Sequence, residues 1–132
     1  MIKRDYLLAI IEDFFQALAQ ILYKKKFGKE DVKHDIDSLY TRFLENNRAF
    51  FLTNNLGTAL KAFSDPTKVS MQKELLAELL YQELITFDYS IDKRQIAESL
   101  LELYNDIEKT EQTLSLEREE RKKEIQLWLE NN

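Results

Sequence analysis

The only histidine in the chain, His34, stands in the stretch EDVKHDID. Residues three and four apart on a helix share a face. Asp31, His34 and Asp35 therefore form the one grouping whose types and spacing could hold a metal ion. Two carboxylates and one imidazole would make a weak, open site with no outer shell to orient the ligands. The same spacing describes a solvated acidic helix face, and that is the reading adopted. A ferritin-like di-iron centre needs a Glu-x-x-His motif on each of two helices, which one histidine cannot supply. A nucleophilic triad fails for lack of a sheltered base. Gly28 and Gly57 are isolated, so no glycine-rich phosphate loop exists. With no cysteine, thiolate catalysis and sulfur-ligated zinc are excluded. The chain is read as a non-enzyme without catalytic residues, metal ligands or a cofactor.

Two further groupings could recognise a partner. KKKFGKEDVK gathers Lys24, Lys25, Lys26, Lys29 and Lys33 near one turn. This could attract an anion, but cations at a helix C-terminus are also ordinary complements of the helix dipole. The stretch LSLEREERKKEIQLWLE reads as a charged helix with Glu117–Arg121 and Glu119–Lys123 at i,i+4 spacing. At 100° per residue, however, Arg118 and Arg121 share a stripe with Leu114, Ile125, Trp128 and Leu129. Arginines so placed lay their stems on neighbours and pair their heads with carboxylates. Trp, Tyr and Arg are also favoured interface anchors, so Tyr81, Tyr104, Arg118, Arg121 and Trp128 form the candidate partner-binding surface.

These side chains need a scaffold. At 132 residues the chain is the usual size of one domain, and residues 1–132 are read as a single helical domain with two halves meeting near Pro66. Apolar residues make up 44% and charged residues 33%, which excludes disorder. Two glycines and one proline, where average usage gives roughly nine and six or seven, imply few turns and long elements. The net charge of −5 argues against nucleic acid, whose binders carry a basic footprint.

The opening MIKRDYLLAIIEDFFQALAQILYKKK predicts a helix capped by Asp5, apolar over an arc of roughly 200°, against the usual 100° or so. Glu12 and Asp13 stand against a membrane span or a secretory signal. An interfacial anchor would carry basic residues on its polar face, and this face is acidic. A core helix wrapped by others, its last strip left for a second copy of the chain, fits best. Beyond Gly28, a natural C-cap, a helix over about 30–45 carries the stripe Val32, Ile36, Leu39, Tyr40 and Phe43. The asparagine pairs Asn46–Asn47 and Asn54–Asn55 read as turns or caps. Between and after them, Ala49–Leu52 plug the core, and Leu56, Ala59, Leu60 and Phe63 make a short helix. Asp65–Pro66 predicts the start of a two-sided helix running to about Phe87. Ser90 or Asp92 caps the next, with Ile96, Ala97, Leu100, Leu101, Leu103, Tyr104 and Ile107 on one side. A last helix covers about Ser115–Leu129. The expectation is all-α: five or six antiparallel helices in hairpins, tetratricopeptide-like or an irregular bundle.

A shift of 64 places Val32, Ile36, Leu39, Tyr40 and Phe43 on Ile96, Leu100, Leu103, Tyr104 and Ile107, with Ala97 at the small position of a repeat helix. The start Met1-Ile2-Lys3-Arg4-Asp5-Tyr6-Leu7, followed by Ile11-Glu12, Gln16-Ala17-Leu18-Ala19 and Ile21-Leu22, resembles a family of small, uncharacterised bacterial all-helical proteins, a domain of unknown function with tetratricopeptide-like hairpins. Leu76-Ala77-Glu78-Leu79-Leu80-Tyr81 is similar to a later segment of that family. The resemblance implies a bacterial cytoplasmic protein with no assigned activity. Together these readings point to an interaction or scaffold module, with an unidentified protein partner or a second copy as its target. A membrane-surface module led by residues 1–26 is the alternative, and an enzyme with an unrecognised site the weaker one.

Overall fold

The computed structural model describes residues 2–28, 32–87, 92–111 and 114–132. All regular structure among them is helical, in seven helices: α1 (Ile2–Lys26), α2 (Lys33–Leu44), α3 (Arg48–Thr53), α4 (Leu56–Leu60), α5 (Val69–Ile85), α6 (Lys93–Glu111) and α7 (Leu116–Asn131). The all-α expectation holds. The count exceeds five or six because the asparagine-rich stretch folds into two short helices rather than one.

Side-chain capping accounts for those extra elements. The Asn47 Oδ1 accepts from the Phe50 amide at 2.8 Å, and the Asn55 Oδ1 accepts from the Thr58 amide at 2.8 Å. Each satisfies a donor that a helix start leaves without a partner. Asp92 and Ser115 do the same for α6 and α7, whereas Ser90 lies outside the described residues. Two starts differ from expectation. Asp5 sits within the first turn of α1, not at its cap. Asp65 caps a turn, accepting from the Thr67 amide and hydroxyl, and α5 begins only at Val69. Proline fixes the turn but does not force the residues after it straight into α-helix.

Contacts divide the chain into two compact units, Met1–Leu76 and Ala77–Asn132, with the boundary inside α5. In the first unit α1 packs on α2, α2 on α3 and α3 on α4. The whole expected stripe of α2, from Val32 to Phe43, is buried. Phe14 of α1 meets Phe43 edge-on, ring centroids 5.3 Å apart, and Phe51 lies 5.9 Å from Tyr40 and 5.8 Å from Phe63. Of the apolar run 49–52, only Phe51 is fully buried. Gly28, at φ +60°, takes the left-handed conformation that ends α1. Glu45 ends α2 the same way at φ +61°, with no glycine to ease it.

In the second unit α6 packs on α7. Of the expected α6 stripe all but Leu101 is buried, and Ile125 of α7 is wholly enclosed. Residues 77–84 of α5 are buried on nearly every side, Glu78, Gln82 and Glu83 included.

The first helix is not the hub that its breadth implies. Among its described side chains only Phe14, Leu18 and Ile21 are buried. Leu8, Phe15 and Tyr23 stay 47%, 45% and 59% exposed, with Ile11 and Leu22 half-buried between them. Leu8, Ile11, Phe15 and Leu22, spaced three, four and seven residues apart, share one face and form an uncovered apolar strip.

Candidate functional site

The candidate surface residues separate into two clusters in the second unit. In the first, α7 presents Arg121 to α5. Its guanidinium donates to the Glu78 carboxylate at 2.8 Å and stacks over the Tyr81 ring, 4.0 Å from the centroid. Glu117, one turn earlier, adds a second carboxylate at 3.6 Å. Tyr81 donates its hydroxyl to Glu124 at 2.7 Å. Glu78 is held on its other side by the Gln82 amide at 3.0 Å, and Gln82 accepts from the Thr86 hydroxyl at 2.7 Å. Burial opposes the Arg121 charge, but the hydrogen bond and charge of Glu78 outweigh it, so the guanidinium is held more firmly protonated than usual.

Tyr104 belongs to this cluster from α6. It is only 4% exposed, and its hydroxyl makes no hydrogen bond among the described residues. Burial pushes its phenol up to about 12, against the opposing pull of the Arg121 charge. Burial and the bond to Glu124 carry Tyr81 to about 12 as well. An unfolded tyrosine titrates near 10. Between about pH 10 and pH 12 the unfolded chain therefore sheds protons that the folded chain keeps. The stabilisation is complete below that window and is lost on rising through it. Two of the six tyrosines are expected to titrate late in a tyrosinate absorbance scan, with denaturation midpoints falling across the same range. Six coincident titrations near pH 10 would contradict the cluster.

Arg118 lies in the second cluster, 7% exposed, its Nε 3.3 Å from Glu108. Lys122 adds a bond to Glu108 at 3.2 Å and pairs with Glu119 at 3.6 Å, in place of the expected Glu119–Lys123 spacing. Burial alone would raise the Glu108 carboxyl; the bonds from Lys122 and Arg118 reverse this and hold it below its usual range. Trp128 is half-buried and takes no part in either cluster's hydrogen bonds. Of the five candidates, then, Tyr81, Arg121 and Trp128 reach solvent, while Tyr104 and Arg118 are packed inside. Sequence spacing found the arginines. It missed Glu78 and Glu108, whose roles depend on helix packing.

His34 is exposed beside Asp35, and Asp31 lies outside the described residues. Among the described residues no three His, Asp or Glu side chains gather closely enough for a metal ion. Of the lysine cluster, Lys24 pairs with Asp35 at 3.3 Å, and Lys29 lies outside the described residues. The chain matches no protein-family model, and no curated protein or solved structure is similar to it.

Proposed function

We propose that this protein is a non-enzymatic helical-hairpin module that acts through protein–protein contact, self-association included. The observation that carries this reading is the uncovered strip Leu8, Ile11, Phe15 and Leu22 on α1. Contiguous exposed apolar surface is costly in water and marks interaction sites. The solvent-reaching group Tyr81, Arg121 and Trp128 supplies a second contact of the residue types favoured as anchors.

The bacterial, cytoplasmic and tetratricopeptide-like assignments belong to this proposal. They are supported by the resemblance at the N-terminus and by the 64-residue correspondence, in which both sets of five stripe residues are buried.

Light scattering across a tenfold concentration range tests it. The native chain is expected to exceed monomer mass and to dissociate on dilution. Phe15→Glu is expected to be monomeric and cooperatively folded, with a melting temperature close to that of the native chain at dilutions where the native chain is itself monomeric, since Phe15 contributes little to the core. A monomer at every concentration, with native chain and variant capturing the same proteins from lysate, would overturn the reading.

One observation favours a membrane surface instead. Among the described residues, Asp5–Lys26 is the one stretch long and apolar enough to cross a bilayer, and 17% of its most apolar window is buried. Flotation with anionic vesicles at low salt decides: a chain that stays at the bottom of the gradient removes this alternative.

A further inference from the structure

The first unit contains a cleft of about 250 Å³ bordered by α1, the end of α2 and the start of α5. It is smaller than the sites that hold drug-sized ligands. Its lining carries charges of both signs. Asp13 and Glu45 supply two carboxylates, Arg42 and Lys68 two cations, yet none of the four forms an ion pair among the described residues. The two cations are steadied by rings instead. Arg42 lies over Phe43 at 4.7 Å, and Lys68 over Tyr6 at 5.7 Å. Such contacts place a cation without neutralising it.

Gln72 also lines the cleft. It is 2% exposed, and its Oε1 is buried with no hydrogen-bond donor among the described residues. A buried acceptor left without a partner is costly. Ile10 and Met71 give the same cleft an apolar wall.

We infer that this cleft binds a small zwitterion, an α-amino acid with an apolar side chain. The carboxylate pairs with Arg42 and Lys68, and the ammonium with Asp13 and Glu45. The side chain lies on Ile10 and Met71. A nucleotide is too large for the volume, and an anion or a cation alone would leave one pair of lining charges without a counter-charge. The inference stands apart from the α1 strip, since its residues occupy a different face of that helix.

The test follows amide chemical shifts of the full chain during titration with L-leucine. Isopentylamine, which is leucine without the carboxylate, and isocaproate, which lacks the ammonium, serve as controls. Leucine is expected to shift Asp13, Arg42 and Gln72 saturably in the millimolar range. Each control should bind about tenfold more weakly or worse, because charge-assisted hydrogen bonds are lost. Arg42→Gln and Asp13→Asn change exposed residues, so both should melt like the native chain while losing about tenfold in leucine affinity. The inference fails if leucine gives no saturable shift, if either control binds as tightly as leucine, or if Arg42→Gln binds leucine unimpaired.

Discussion

Phe14→Ala is expected to destabilise the protein by about 3–5 kcal/mol, the usual cost of deleting a fully enclosed aromatic ring. Phe14 is 0% exposed and is the only α1 ring that is fully buried. Its edge-on contact with Phe43 is the principal aromatic attachment between α1 and α2. Against a total stability of order 5–15 kcal/mol for a domain, the loss is a large fraction. Its neighbour Phe15 offers the internal control. The two rings are 5.1 Å apart, yet Phe15 points outward, and its truncation should cost well under half as much. Denaturant midpoints for the two variants check the pair. Equal losses would mean that the outward strip is part of the core, and the interaction proposal would lose its footing.

The second large effect concerns Glu78 and Arg121. Glu78→Leu alone is expected to cost about 2–3 kcal/mol, because it leaves a largely enclosed guanidinium without its closest carboxylate. Arg121→Leu should cost a similar amount by stranding Glu78, which is 8% exposed. The double variant is expected to recover most of either loss. Paired burial of charge seldom beats a hydrophobic replacement of similar volume, whereas half a pair is much worse than both alternatives. Thermal or chemical denaturation of the three variants measures the coupling directly. Additive losses would show that the two side chains do not depend on each other. Glu117, which is mostly exposed, substitutes poorly for Glu78 because solvent screens it.

Much of the architecture was legible because apolar periodicity and capping are local. The stripes of α2 and α6 follow from spacing alone, and each matching residue bar Leu101 is buried. Asn47, Asn55, Asp92 and Ser115 sit where a short polar side chain is needed to satisfy a helix start. The failures are equally physical. In α5, Gln72, Glu78, Gln82 and Glu83 look like a solvent face in sequence and are buried in the fold. Periodicity cannot show that Arg121 arrives from another helix to pair with Glu78, nor that Gln82 is enclosed with Glu78 and Thr86 as its hydrogen-bond partners. The breadth of the apolar arc on α1 suggested enclosure, but hydrophobicity reports only what could be buried, not whether neighbours exist to bury it. The cleft at Gln72 was invisible for the same reason: Asp13, Arg42, Glu45 and Lys68 are scattered along the chain and meet only in the fold.

Glu45 carries one last consequence. A residue with a β-carbon in the left-handed region costs about 1–2 kcal/mol relative to its preferred conformations, and glycine would remove that strain, as it does at Gly28. The chain accepts the strain at a position that also supplies one of the two carboxylates lining the cleft. Helix termination and cleft charge thus make opposing demands on a single site. A glycine there would relax the backbone while depriving a zwitterion of half its anionic seat, so the hairpin is held below its own optimum stability where that seat is formed.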